Sequence, residues 1–185
     1  METYTIRVAT VADVPAITDL ANQYVWDKLS EAERQQGFLT GRFEMPAMKE
    51  MLESAPSLIA QHHQEIAGFV INSKLLPEAY PPLVQNMAQK FPDLLYRNLP
   101  LTTYKYFFYG PVLVSKFHRG KSLLPLMFHK TKELLRDRFE IGIAFIHEHN
   151  QYSLQIHTER LGLEVVGQFS FQLNNYHILV FTVSD

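Results

Sequence analysis

The sequence contains no cysteine among its 185 residues. Disulfide bonds, thiolate metal ligands and cysteine nucleophiles are therefore excluded. The formal net charge is only -2, so no overall positive field attracts nucleic acid. No apolar run approaches the roughly 20 residues that a membrane helix needs, and the N-terminus METYTIRVAT lacks the pattern of a signal peptide. We therefore expect a cytoplasmic protein that binds neither nucleic acid nor membranes.

Hydrophobic residues are plentiful, at 46% of the chain, and aromatic residues make up 12%. This composition and length predict one folded domain over residues 1–185. The periodicity predicts the order β-α-α-β-β, an insert at about 75–103, and then β-α-β-α-β-β. That order indicates a mixed α/β domain with helices on both faces of one sheet.

Local signals place the individual elements. Asp13 is expected to cap the first helix, and the polar connection at residues 30–44 is expected to be flexible and partly helical. One hairpin is predicted around the polar residues 62–65, and another around the turn residues Asn174-Asn175. Helices are predicted at about residues 14–25, 45–53, 121–138 and 153–161.

The insert contains five prolines and one short helical pattern at residues 83–90. We expect it to lie over one end of the sheet, since long ordered loops often cover sites. A surface loop that covers nothing is the alternative. The strand that follows, YKYFFYGPVLVS, is interrupted by Gly110-Pro111. Proline cannot donate a ladder hydrogen bond, so this strand is predicted to be bulged or splayed there.

The stretch FHRGKSLLPLMF contains Gly120-Lys121-Ser122, which matches the end of a nucleotide-binding P-loop. A P-loop also needs a glycine five positions before Gly120, and Ser115 occupies that position. A second interpretation needs no such glycine, because a helix N-terminus presents unpaired amides and a partial positive charge to a phosphate. Arg119 and Lys121 would add full charges. The third interpretation is an ordinary connection with two solvated cations.

The segments TIRVATVADVPAITDL, VLVSKFHRGKSLLPLMF and NQYSLQIHTERLGLEVVG resemble the opening strand and helix, the pyrophosphate loop and the Asn-containing helix of the GNAT superfamily of acyl-CoA N-acyltransferases. The resemblance covers nearly the whole chain. It implies a single mixed, mostly antiparallel sheet that is splayed at its centre. It also implies acetyl-CoA, or another short acyl-CoA, as the acyl donor, without a metal.

The resemblance implies that the cofactor arm pairs with backbone groups of the strand before the loop and that its pyrophosphate lies on the loop. Ser122 and Leu124 stand where the family prefers small residues, and Pro125 removes one amide donor. The residues implied for cofactor binding are Val112, Val114, Arg119, Gly120, Lys121, Ser122, Leu124, Asn150 and Ser153.

His157 stands where the family commonly has a Tyr that protonates the departing CoA thiolate, so we expect it to be the catalytic acid. Tyr109, beside the strand break, is the second catalytic candidate, and Glu148 is a weak candidate for a base. His147 and His149 alternate on a predicted strand and, with His157, suggest a three-histidine metal site as an alternative. We expect no metal site.

The predicted function is transfer of an acetyl group to an amine by direct attack, which agrees with the absence of cysteine and of a Gly-x-Ser-x-Gly motif. The acceptor is a small-molecule or peptide amine, and a homodimer is an open option. Two alternatives are a GNAT-like domain that binds acyl-CoA or a small ligand without catalysis, and a purely structural dimerising domain.

Overall fold

The fold is described here for residues 3–184 of a computed structural model. In this range, seven strands form one sheet in the order β1-β2-β3-β6-β7-β9-β8, and β4 and β5 form a separate small hairpin. The pair β6-β7 is parallel and the other pairs are antiparallel. The strands are β1 Tyr4–Val8, β2 Leu58–His62, β3 Glu65–Ser73, β4 Leu95–Tyr96, β5 Leu99–Pro100, β6 Tyr106–Val114, β7 Ile141–His147, β8 Glu164–Phe171 and β9 Asn174–Thr182.

Helices cover both faces of the sheet, as the sequence predicted. One face carries α5, and the other carries α1, α3 and the segment at residues 75–103. The α-helices are α1 Val14–Asn22, α2 Glu31–Arg34, α3 Met45–Ser54, α4 Pro82–Ala88, α5 Leu123–Leu135 and α6 Gln151–Gln155. A π-helix, Ile156–Arg160, continues α6, and none of the helices in residues 3–184 is long and apolar enough to cross a membrane.

The break at Gly110-Pro111 inverts the two sides of β6. Tyr109 and Val112 are three residues apart on β6, whereas their partners on β3, Asn72 and Val70, are only two residues apart. Before this bulge Tyr109 faces α5 and Phe108 faces the opposite side; after it Val112 faces α5 and Leu113 faces the opposite side. The bulge predicted from the proline is confirmed.

The segment at residues 75–103 lies on a face of the sheet as well as beside its end. Met87, Phe91, Tyr96 and Leu101 are buried against the strands β7, β8 and β9. Sequence analysis expected an excursion over one end of the sheet. The difference arises because four large side chains of the segment remove more apolar surface from water on the sheet face than at its edge.

Three local features differ from the expectation. Asp13 holds the N-cap position of α1 as expected, but its side chain makes no capping bond and accepts hydrogen bonds from Thr10 and Arg7 instead. The helix predicted from residue 121 begins at Leu123, because Ser122 has a left-handed backbone conformation with φ of 58°. The last hairpin turns at Gln172 and Leu173, both with positive φ, and the two asparagines that follow belong to β9.

Candidate active site

A groove opens where β6 and β7 separate. The two strands are paired only from Tyr106 to Phe108 on β6, after which β7 follows β9 alone. The groove has a cavity volume of about 210 Å³. Its walls are the 36–39 connection, residues 112–114 of β6, the turn and first helical residues between 118 and 125, and α6 with its π-helical continuation. It therefore brings together most of the residues that the resemblance implied for cofactor binding.

The backbone of β6 offers hydrogen-bonding groups to this groove. The amide of Ser115 donates to the carbonyl of Ala67 on the β3 side at 2.9 Å. Backbone groups alternate in direction along an antiparallel strand, so Leu113 also faces β3, whereas Val112 and Val114 face away from it. Because β7 has diverged at this point, the N–H and C=O groups of Val112 and Val114 point into the groove.

The turn before α5 presents a helix N-terminus to the groove. Gly120 and Ser122 both have positive φ, at 76° and 58°, and the 13-residue helix starts immediately afterwards. No side chain caps this N-terminus, so its first amides and the positive end of the helix dipole are left for an anion. Gly120, Ser122 and Leu124 line the groove, whereas Lys121 is not among the lining residues.

Arg119 lies at the same end of the groove and is bonded to neutral groups. Its Nε donates to the Val114 carbonyl at 3.2 Å, and Nη1 donates to Gln36 Oε1 at 3.3 Å. The ion pairs among residues 3–184 do not include Arg119, so no carboxylate neutralises its charge there. Arg160, which sequence analysis missed, also lines the groove and adds a second positive charge.

Asn150 and Ser153 organise the opposite wall. Asn150 is buried; its Oδ1 accepts the Ser153 amide at 3.3 Å, and its Nδ2 donates to the Phe38 carbonyl at 2.8 Å. Asn150 thereby joins the N-terminus of α6 to the 36–39 connection. It lines the groove as expected, although both of its amide atoms already have protein partners.

His157 is held in one tautomer by the chain. Its Nδ1 lies 2.8 Å from the Ser153 carbonyl, which can only accept, so Nδ1 carries the proton. The other ring nitrogen, Nε2, is left for the groove that His157 lines. The side chain is 7% exposed, and its burial lowers the pKa of His157 below the ordinary value. At neutral pH the resting imidazole is therefore uncharged and accepts a proton at Nε2.

Tyr109 does not reach the groove. It lies before the bulge, on the α5 side of β6, where its ring packs against Phe128 and Phe181. Its hydroxyl is buried without a hydrogen-bond partner among the described residues, and burial raises the pKa of Tyr109. Its ring centre is 6.1 Å from that of His157, an edge contact that packs the imidazole. The geometry gives Tyr109 a packing role and leaves His157 as the titratable candidate.

The 36–39 connection was also missed by sequence analysis, which treated it as part of a flexible polar segment. Phe38 and Leu39 are buried, and Leu39 bonds to Tyr24 through the backbone. Gly37 has φ of 98° and lies against the ring of Tyr152, where a Cβ would come within 3.2 Å of that ring. The signal in the sequence was the apolar pair Phe38-Leu39 beside a glycine.

The three histidines suggested for a metal do not form one cluster. His147 and His149 lie side by side at the end of β7, with ring centres 5.2 Å apart. His157 lies on the π-helix, where it packs against Tyr109. Across residues 3–184, no group of three His, Asp or Glu side chains is arranged to hold a metal ion.

No family model and no curated protein matches the sequence, but many solved structures match the fold. YncA from Salmonella typhimurium, a candidate acetyltransferase solved with acetyl-CoA, is 17% identical, with a TM-score of 0.63 over 99% of this chain and 95% of that chain. A GNAT-family acetyltransferase from Streptococcus pneumoniae is 12% identical, with a TM-score of 0.63 over 97% of this chain and 99% of that chain.

Arabidopsis thaliana NAA60, solved with a bisubstrate analogue, is 12% identical, with a TM-score of 0.66 over 97% of this chain and 98% of that chain. At these identities the likeness is one of fold. The chain has the fold of the GNAT N-acetyltransferases, as the sequence resemblance indicated.

Proposed function

We propose that the protein is an N-acyltransferase that moves an acetyl group, or another short acyl group, from acyl-CoA to the amine of a small molecule or peptide. The observation that carries this proposal is the groove, which joins a free strand edge to an uncapped helix N-terminus. The two ends suit the two parts of the donor. Arg119, Gly120 and the amides of Ser122 and Leu124 would hold the pyrophosphate, and the backbone of Val112 and Val114 would pair with the amide-containing arm.

The acyl donor supplies an activated thioester, and the protein has to position it and move one proton. The Val112 N–H points into the groove and is the candidate donor to the thioester carbonyl oxygen. Nε2 of neutral His157 accepts the proton that the attacking amine loses. The imidazolium then returns that proton to the departing sulfur, so His157 ends in its starting state and no net proton is consumed.

This order of proton transfers revises the role expected from the sequence, in which His157 acted only as an acid. A histidine with a lowered pKa is a poor resting acid at neutral pH, because little of it is protonated. It becomes a strong acid once the amine has given it a proton. The same burial therefore favours both steps.

A domain that binds acyl-CoA without catalysis remains the second candidate. The turn at residues 119–125, called the phosphate turn below, lacks the small residues that the GNAT superfamily prefers there. Leu124 and Pro125 both line the groove, and Pro125 has no amide to donate. Both residues act on the affinity for the donor, so they weaken binding without removing the proton route through His157.

Acetyl-CoA should be titrated first, and turnover then measured with a panel of small amines and short peptides. The readouts are release of the free CoA thiol and the mass of the acylated amine. Amine-dependent release of thiol with formation of amide is the expected result. Binding without release on any amine would favour the non-catalytic domain, and no binding of acetyl-CoA would reject both, which leaves a domain that binds another small ligand or a structural dimerising domain.

A further inference from the structure

Arg34 is fixed on the face of the single tryptophan of the chain. Its Cζ lies 4.2 Å from the centre of the Trp26 ring, and its Nε donates to the Trp26 carbonyl at 2.9 Å. Trp26 is 40% exposed although it is large and apolar. Arg34 belongs to none of the ion pairs within residues 3–184. A guanidinium is thus held in place by a ring and a carbonyl, without a carboxylate to neutralise it.

The neighbouring carboxylate, Glu33, is already engaged elsewhere. Its Oε1 accepts from Lys116 Nζ at 2.9 Å, and its Oε2 accepts from the Ser30 amide at 3.1 Å. These contacts tie Glu33 to Lys116, which follows β6, and to Ser30 at the start of α2. The positive charge of Arg34 is therefore available to a ligand, and stacking leaves the Nη edge of the guanidinium open for planar hydrogen bonds.

A wall of rings connects Arg34 to the groove. Trp26 contacts the edge of Phe38, with ring centres 4.7 Å apart, and Phe38 lines the groove. On another side Trp26 stacks with His147 at 6.2 Å. His147 is itself immobilised, because its Nδ1 accepts the His149 amide and its Nε2 bonds to Asn174. Phe38 and His147 are buried, so Trp26 is the exposed ring of this wall, and Arg34 adds one positive charge on its face.

We propose that the acceptor is an amine that also carries a carboxylate, namely an amino acid or a short peptide with a free C-terminus. Arg34 binds the carboxylate, the exposed ring of Trp26 contacts the apolar body, and the amine reaches the groove that Phe38 lines. A carboxylate suits this site because one planar guanidinium edge matches its two oxygens with two parallel hydrogen bonds. This inference rests on the proposed function, since it names the substrate class of the same site.

The test compares each acid with its own amide, which removes the negative charge, and rates are referred to the concentration of unprotonated amine, because amidation also lowers the pKa of an α-amine. The substrates are phenylalanine and glycylphenylalanine, each compared with its C-terminal carboxamide. The two acids place the carboxylate at two different distances from the amine. The parent, Arg34→Gln and Arg138→Gln are compared with acetyl-CoA as donor. Arg138 is a matched control, because its guanidinium also lies over an aromatic ring, that of Phe139 at 5.3 Å, yet that ring neither lines the groove nor contacts a residue of the ring wall.

In the parent, kcat/KM for at least one acid should exceed that for its amide by about tenfold to a hundredfold, the size of a charge-assisted hydrogen bond. Arg34→Gln should abolish this preference and leave acetyl-CoA affinity unchanged, and Arg138→Gln should preserve it. Equal or better turnover of the amides, a preference that survives Arg34→Gln, or no acylation of either acid by a protein that binds acetyl-CoA would overturn the inference. A protein that binds no acetyl-CoA would instead reject the proposed function, and the initial titration separates that case.

Discussion

Replacing His157 with Phe removes the proposed proton route and leaves the phosphate and strand contacts of the donor site in place. Phenylalanine fills a similar space in the packed environment beside Tyr109 but has no nitrogen to hold a proton. Loss of a general acid or base costs about 10²- to 10⁴-fold in turnover, which is about 3 to 5 kcal/mol in the barrier. We expect a loss in this range with little change in acetyl-CoA affinity, because the phosphate turn and the β6 edge are untouched.

The substitution also removes the bond from Nδ1 to the Ser153 carbonyl, which has to be controlled. Thr158 makes the same kind of bond one position later, from its Oγ1 to the Leu154 carbonyl at 2.8 Å, and does not line the groove. Thr158→Val should therefore lower stability by a similar amount and keep turnover. Comparable losses of turnover in both variants would assign the effect to the helix and not to the imidazole.

The pH profile of turnover tests whether the neutral form of His157 is the active one. Burial lowers the pKa of His157, so the parent should lose turnover only as the pH falls well below about 6.5, the ordinary histidine value, where Nε2 becomes protonated and no longer accepts a proton. His157→Tyr should lose this acid limb and turn over more slowly than the parent near neutral pH, because a tyrosine that stays protonated up to about pH 10 can donate to the sulfur but cannot accept the proton of the amine. His157→Phe with the parent's turnover at every pH would refute the proton route.

Two further predictions concern stability. Asp13→Asn should lower the unfolding free energy by about 1–2 kcal/mol at pH 7, because Asp13 accepts from both Nη atoms of Arg7 and from the Thr10 amide. Arg7 lowers the pKa of Asp13 to about 2. In denaturant titrations, the difference in unfolding free energy between the parent and Asp13→Asn should therefore shrink as the pH falls from about 4 towards 2. A difference that stays constant over this range would contradict the prediction. Phe91→Ala should cost about 3–5 kcal/mol in chemical denaturation, since Phe91 is buried between the 75–103 segment and the sheet. Its acetyl-CoA affinity should stay the same, because no residue of that segment lines the groove, and a weakened affinity in the folded variant would count against this placement.

The sequence predicted the sheet, the bulge and the turn before the helix α5 because each depends on local chemistry. Proline at position 111 removes a ladder donor wherever the strand lies, and the alternation and helical spacing fix which residues face the core. These signals need no knowledge of distant contacts. The element order and the position of the strand break were therefore accessible.

Tertiary pairing decided the features that the sequence did not predict. Gln172 and Leu173 have little preference for positive φ, yet they form the turn because β8 and β9 pair in register up to Phe171 and Asn174. The paired strands outweigh the turn preference of the two asparagines. Local propensity alone points to the wrong pair of residues.

The same limit applies to the site. Tyr109 was predicted to reach it because it neighbours the break, but its ring packs against Phe128 and Phe181 and does not line the groove. Phe38 and Arg160 come from segments distant in sequence, and the fold brings them to the same groove. The spacing of residues within one motif cannot predict that such distant segments line the same groove.

Calorimetric titration of acetyl-CoA into the parent and into Arg119→Ala tests the central claim most directly. The account predicts binding to the parent and about a tenfold to hundredfold weaker affinity in the variant, because one charge-assisted phosphate contact is lost. Arg138→Ala, which removes an arginine outside the groove, should bind as the parent does. Absence of binding to the parent, or equal affinity in Arg119→Ala with its fold intact, would contradict the assignment of the groove to acyl-CoA.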